Sequence, residues 1–181
     1  MKSTSGPLIT LALISILFHG CASSSTLETV KTVDLNQYKG VWFEISKIPN
    51  RFQSFCSSDT TAEYKIIKNG AIEVINKCQT ENGEYEVANG LAKVIDQESQ
   101  AKLKVSFVRI LGIQIFWGDY WIIGLENNYQ YAIVGDPERK YGWILSRQNK
   151  MPEYLLSDAY RILENKGYNK NDFVMTKHTQ K

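Results

Sequence analysis

Few side chains in this sequence could do acid–base, nucleophilic or metal chemistry, and their spacing does not favour it. The two histidines, His19 and His178, stand near opposite ends of the chain, and the three cysteines are Cys21, Cys56 and Cys78. A nucleophilic thiol needs a neighbouring base, and a structural metal site needs clustered Cys and His ligands. The sequence therefore predicts a binding protein with no catalytic residue, no metal site and no cofactor.

The first cysteine follows a segment that is typical of an export signal. Residues 1–20 carry one charged residue, Lys2, and an apolar run over 8–18. As a helix this run reaches only about 16 Å, roughly half of a bilayer core, which predicts a cleaved signal peptide rather than a membrane span. Residues 17–21 resemble the lipoprotein box of bacteria, in which the cysteine is lipidated, and Ala22 resembles the sorting signal for the outer membrane. We therefore expect a lipid anchor on Cys21 and a tether over 21–33, with plain secretion as the alternative.

The other two cysteines form an even pair, which in an exported chain indicates a disulfide. Cys56 and Cys78 flank a predicted hairpin around Gly70. A regular register about a three-residue turn places Thr60 opposite Cys78, so a bond between the two cysteines requires a bend or a bulge. Two unpaired cysteines are the alternative, and one of them in a pocket would be the nucleophile of a lipid-converting enzyme.

Composition restricts the class of partner. The 181 residues carry 21 Lys and Arg against 19 Asp and Glu, a net charge of +2. Nucleic-acid binding requires clustered positive charge, so this balance argues against such a partner. With 43% hydrophobic residues the chain can build a core, and its length fits one domain, predicted over 34–181.

Alternating apolar and polar residues predict eight short strands joined by turns. A helical period occurs once, over 152–166, where Pro152 suits the first turn and Gly167 the end. Consecutive short connections favour antiparallel neighbours, and eight strands close an up-and-down barrel with room for one small ligand. We therefore predict an all-β, eight-stranded antiparallel barrel with one C-terminal α-helix. The predicted strands are 40–49, 60–67, 71–77, 85–95, 103–109, 119–125, 129–134 and 141–147, with a short last strand over 173–177.

Two motifs that bracket these strands resemble the signatures of the lipocalin family. Gly40-Val41-Trp42 opens the first strand, and an aliphatic run ending in Arg147 closes the eighth. Much of the remaining chain resembles the bacterial outer-membrane lipoprotein branch of that family, which is related to apolipoprotein D. In such a barrel Trp42 plugs one end while the guanidinium of Arg147 stacks on its indole. Gly40, Trp42 and Arg147 are thus expected to be structural.

The resemblance also implies where a ligand lies. Positions that match the ligand contacts of apolipoprotein D point into the barrel by strand alternation, once Arg147 is taken as inward. Asn76 is the most informative of them, because an inward amide needs a polar partner such as a lipid headgroup or carboxyl. Each position has an ordinary core role as its alternative. The expected ligand-binding residues are Tyr64, Asn76, Phe107, Trp143 and Leu145.

Together these features predict an outer-membrane lipoprotein that binds, stores or transports fatty acids or lysophospholipids in a barrel cavity, in maintenance of the cell envelope. A lipocalin-fold enzyme and a purely structural envelope lipoprotein are the alternatives. The sequence leaves open the side of the membrane and the existence of a homodimer. An apolar connector over 110–117 either caps the pocket or docks on a membrane or a partner subunit.

Overall fold

The computed structural model describes residues 26–179, which form a closed barrel of eight antiparallel strands. Each barrel strand pairs with the next along the chain, and pairing of the last barrel strand with the first closes the barrel. The predicted fold is confirmed. The barrel strands are β1 (Gly40–Lys47), β2 (Ser58–Ile66), β3 (Ile72–Gln79), β4 (Tyr85–Val94), β5 (Lys102–Ser106), β8 (Gly118–Leu125), β9 (Tyr131–Gly135) and β10 (Gly142–Ser146).

The remaining elements lie outside the barrel wall. A short helix α1 (Leu35–Tyr38) precedes β1, and the helix α2 (Glu153–Asn165) follows β10. The strand β11 (Val174–Met175) pairs with β1. Between β5 and β8 the chain forms a separate hairpin of β6 (Val108–Ile110) and β7 (Ile113–Ile115). Single 3₁₀ turns occur at Arg51–Gln53, Lys68–Gly70 and Lys170–Asp172.

Two predicted strand boundaries are wrong for local reasons. The strand predicted over 103–109 leaves the barrel after Ser106, where the chain turns into the β6–β7 hairpin. The strand predicted from Tyr129 begins at Tyr131, because Tyr129 has φ of +58°. That conformation is incompatible with a strand and places Tyr129 in the turn before β9.

Strand direction defines two ends of the barrel. The closed end carries α1, Arg147 and the connections 67–71, 95–101 and 126–130. The open end carries the connections 48–57, 80–84, 107–117 and 136–141. Because β1 starts at the closed end, Trp42 lies near that end and Lys47 near the open one.

Two apolar clusters follow from strand alternation. The inner cluster fills the barrel and includes Trp42, Tyr64, Val74, Leu103 and Leu145. The outer cluster joins the opposite face of β1, β8, β9 and β10 to α2, whose Ala159 and Leu163 are fully buried. The apolar face predicted for the helix is thus the face that covers the barrel.

Residues 27–33 pack against the barrel, with Leu27 in the outer cluster and Val33 in the inner one. Leu27 is 3% exposed and Val33 is 2% exposed. The backbone N–H of Val30 donates to the carbonyl of Ile122 at 3.0 Å, and that of Val33 to Ser99 at 2.8 Å. Within the predicted tether over 21–33, the apolar residues Leu27 and Val33 thus bury against the barrel instead of extending away from it. The predicted signal peptide and Cys21 lie outside the described residues, and no helix within 26–179 is long and apolar enough to cross a membrane.

Candidate ligand-binding lumen

The closed end of the lumen is plugged by Trp42 and Arg147. Trp42 is fully buried, and its indole N–H donates to the carbonyl of Tyr38 at 2.7 Å. The Arg147 guanidinium carbon lies 3.7 Å from the centroid of the indole ring. The same guanidinium donates to backbone carbonyls of α1, β1 and the turn before β9, which ties these three segments together. The accepting residues are Gln37, Tyr38, Lys39, Val41 and Tyr129.

Beside this plug lies a chain of three tyrosine hydroxyls, here called the tyrosine triad: Tyr38, Tyr64 and Tyr120. The Tyr120 hydroxyl lies 2.7 Å from that of Tyr38 and 2.8 Å from that of Tyr64. Burial raises the pKa of Tyr64 to about 12 and the pKa values of Tyr38 and Tyr120 well above their usual value. The triad is therefore neutral at physiological pH.

The triad carries one more donor than it can use internally. Each hydroxyl donates one hydrogen bond, so three protons serve two oxygen–oxygen contacts. No other hydrogen-bond partner of these hydroxyls occurs among residues 26–179. Next to the triad lies a cavity of about 10 Å³, whose surface is almost entirely apolar. The triad and apolar residues, among them Leu35, Ile72, Val74, Leu103 and Val105, line this cavity.

Toward the open end the lumen becomes polar. The buried carboxylate of Glu44 lies 3.1 Å from the Lys47 ammonium, and it accepts hydrogen bonds from Gln53 at 2.6 Å and Thr176 at 2.6 Å. The indole N–H of Trp143 donates to the same Gln53 side chain at 3.0 Å. Gln53 thus reaches from segment 48–57 to side chains of the two neighbouring strands β1 and β10.

A bulge in β1 places Lys47 on the inner face together with Glu44. Glu44 pairs with Leu145, whereas Ser46 pairs with Ile144, so Ile45 is the extra residue. Such an insertion shifts the alternation by one position. As a result Lys47 lies opposite inward-facing Trp143, whereas Ser46 faces outward and bonds to the Tyr160 hydroxyl at 2.9 Å. Strict alternation missed Lys47, and nothing in the local sequence marks the bulge.

The five expected ligand residues lie at different heights of the barrel, and Phe107 is exposed at the open end. Tyr64 and Leu145 are buried in the inner cluster, and only Tyr64 lines the small cavity. Trp143 is half-buried at the open end and stacks on Tyr141. The ring of Phe107 lies over Gly90, where a Cβ atom would come within 2.7 Å of it.

Asn76 lies on β3 opposite Ala62 and Ala88, in the register predicted for the hairpin around Gly70. It is half-buried, and its side-chain amide forms no hydrogen bond with the described part of the chain. An amide in this position retains donors and an acceptor for another partner.

Sequence reasoning missed Tyr38, Tyr120 and Gln53 as lumen residues. Tyr120 pairs with Leu103 of the inner cluster across β8 and β5, so strand alternation could have placed it inside. Tyr38 and Gln53 lie in a helix and a 3₁₀ turn that cover the two ends, and no strand periodicity marks such positions.

A disulfide joins Cys56 to Cys78, with 5.6 Å between the two Cα atoms. The bulge that this bond requires is present, because the β2–β3 register shifts between Ser58 and Thr61. The bond fastens segment 48–57 to β3, and it leaves neither cysteine as a free thiol. Among residues 26–179 no cluster of His, Cys, Asp and Glu could hold a metal ion.

Comparison with known proteins agrees with this geometry. A family model described as a lipocalin-like domain matches residues 33–178. The outer membrane lipoprotein Blc of Vibrio cholerae is 31% identical over 169 residues, covering 92% of this chain and 95% of that protein. Temperature-induced lipocalin-1 of Arabidopsis thaliana is 37% identical over 145 residues, covering 78% of this chain and 77% of that protein. Insecticyanin from the tobacco hornworm Manduca sexta has a TM-score of 0.70 at 21% identity, over 86% of each chain. The chain therefore belongs to the lipocalin family.

Proposed function

We propose that this protein is a lipid-anchored outer-membrane lipoprotein whose lumen binds a fatty acid or lysophospholipid, for storage or transport in envelope maintenance. The relative from Vibrio cholerae, which matches nearly the whole chain, is named an outer membrane lipoprotein. The observation that carries the proposal is the apolar inner cluster, closed at one end by Trp42 and Arg147. Burial of an acyl chain against such a surface gains roughly 25 cal/mol per Å² of apolar area.

The polar groups of the lumen favour one orientation of the ligand. The headgroup lies at the open end, where the Lys47 ammonium and the Asn76 amide face inward. The tail points toward the inner cluster and the tyrosine triad. The opposite orientation places a charged headgroup beside neutral hydroxyls in a buried cavity, and the loss of hydration there is costly.

Binding requires side chains to move. A cavity of about 10 Å³ does not hold an acyl chain, so the ligand displaces groups at the open end. Gln53 is the expected gate, because it bonds to both Glu44 and Trp143 and lies on the segment that the disulfide holds.

The test is extraction and identification of lipid from the purified native protein, followed by titration with a fluorescent fatty acid. In Ala62→Trp the new indole fills the lumen beside Asn76, and we expect at least about tenfold weaker binding. Lys65→Trp is the matched control, since Lys65 is an exposed residue of the same strand. An empty barrel that also binds no probe at micromolar concentration overturns the proposal.

The small volume of the lumen cavity favours one rival, a structural envelope lipoprotein with a filled barrel. Native mass spectrometry separates the two, because a retained lipid mass excludes the filled barrel. The rival enzyme that uses a pocket thiol has no such support, since Cys56 and Cys78 are bonded to each other.

A further inference from the structure

The open end of the barrel carries an unusually exposed apolar segment, residues 107–117, here called the apolar hairpin. Leu111 is 97% exposed, Phe116 is 78% exposed and Ile113 is 67% exposed. Arg109 is the only charged residue in the segment. Scattered exposed apolar residues are normal, but a contiguous group of this kind marks a surface that meets another apolar phase. Phe52 and Phe55 of segment 48–57, both at least half exposed, are further apolar side chains at the same end.

The tip of the apolar hairpin also has an unfavourable backbone. Leu111 and Gly112 connect β6 to β7 with φ of +48° and +84°, the signature of a type I′ turn. Asn or Asp is the favoured residue at the first position of such a turn, and leucine rarely adopts this conformation. Phe116 has a φ of +56° as well. Leu111 and Phe116, the two most exposed side chains of the hairpin, are therefore apolar groups in contact with water, and each has a backbone conformation that is unfavourable for its residue type.

The path of residues 27–33 shows from which end the chain enters the barrel domain. Val33 is bonded to Ser99 at the closed end. Glu28 lies 3.6 Å from Lys166, whose carbonyl accepts a hydrogen bond from Arg139 of the open-end connection 136–141. The segment therefore enters from the open-end side. Cys21 precedes Leu27 by only six residues, a reach of at most about 22 Å.

We propose that the apolar hairpin docks on the surface of the lipid bilayer that carries the Cys21 anchor, with the open end of the lumen facing the lipid. This inference rests on the anchor proposed above. The short reach from Cys21 places the bilayer near the open end, and the apolar hairpin is the apolar surface exposed there. Trp117, with the Lys93 ammonium 4.2 Å from its ring, belongs to the residue types that prefer a membrane interface.

The test uses the lipidated protein in phosphatidylcholine vesicles with brominated acyl chains, which quench tryptophan fluorescence on contact. The signal of Trp117 is the difference between the protein and its Trp117→Phe variant. We expect Trp117 to be quenched, and the double variant Leu111→Asn/Phe116→Asn to reduce that quenching at least about twofold. Asparagine tolerates both backbone conformations, so the variant keeps its melting temperature. Tyr154→Asn is the matched control, because Tyr154 is 73% exposed on the first turn of α2 toward the closed end.

Three outcomes overturn the proposal, and they are distinguishable. Protein that does not float with vesicles has neither the anchor nor the docking surface. Protein that floats while Trp117 stays unquenched is anchored without docking. The protein cross-links in a concentration-dependent way without vesicles and the double variant does not: in that outcome the apolar hairpin binds a second copy of the chain instead of a bilayer. Ligand binding by the lumen is measured separately and is unaffected by the first two outcomes.

Discussion

The tyrosine triad makes a prediction that depends on its order. Tyr120 is the middle hydroxyl, bonded to both Tyr38 and Tyr64. Tyr120→Phe removes both hydrogen bonds and leaves two buried hydroxyls without their partner. Tyr38→Phe removes one bond and leaves the other two hydroxyls paired. The middle substitution should therefore be the more destabilising, although each variant deletes a single oxygen atom.

The magnitudes follow from the cost of an unpaired buried group. Removal of one hydrogen bond lowers the free energy of unfolding by about 1 kcal/mol, and each buried hydroxyl left without a partner costs about 1–3 kcal/mol. For Tyr38→Phe we expect about 1 kcal/mol. For Tyr120→Phe we expect about 2–6 kcal/mol, the penalty for two buried hydroxyls left without a partner.

Urea unfolding measures these differences, with the midpoint and the slope fitted separately. Tyr154→Phe is the control, since Tyr154 is 73% exposed and its substitution should leave stability unchanged. An equal loss of stability in Tyr120→Phe and Tyr38→Phe, at unchanged slope, refutes the view that the three hydroxyls act as a chain with one central member.

Three further predictions concern the barrel. The free energy of unfolding should fall as the pH rises from 10 toward 12. Burial raises the pKa of Tyr64 from 10.0 to about 12 in the folded protein, so this tyrosine ionises first in the unfolded state. Tyrosinate absorbance at about 295 nm, recorded together with circular dichroism, checks that ionisation accompanies unfolding. Replacing Cys56 and Cys78 together by Ala should lower the free energy of unfolding by about 3 kcal/mol, as expected for a 22-residue separation, and urea unfolding without reductant measures it. Gly135→Ala should lower the melting temperature, with a loss of about 1–3 kcal/mol, because its Cβ atom would lie 2.1 Å from the buried Tyr168 hydroxyl; an unchanged melting temperature contradicts this packing.

The inner face of the barrel shows how far strand alternation reaches. On β2 and β3 the predicted pairs of Ala62 with Asn76 and Tyr64 with Val74 are the observed ones. On β1 the same reasoning fails after Glu44, because the bulge at Ile45 moves Lys47 to the inside. Alternation describes a regular strand, whereas a bulge arises from the fit between neighbouring strands.

The β5–β8 connection illustrates a second limit. Its apolar composition identified 110–117 as unusual, and the alternatives of pocket cap, membrane contact and subunit contact stayed open. The structure places the apolar hairpin outward at the open end, with Leu111 almost fully exposed. Composition shows that a surface is apolar, but only the arrangement of strands decides whether it is buried.

The sequence by itself predicted the barrel from strand periodicity, its closing contact from two motifs that resemble lipocalin signatures, and its disulfide from an even pair of cysteines. Trp42 and Arg147 stand at the ends of the first and last barrel strands, so closure of an eight-stranded sheet brings them together. Only the tertiary structure decided the contents of the lumen. The triad combines Tyr38 of a helix with Tyr64 and Tyr120 of two strands far apart in the chain, and Gln53 comes from a cover over the open end. Such contacts depend on where separate elements meet in space, and that meeting is set by packing of the whole barrel rather than by any local pattern.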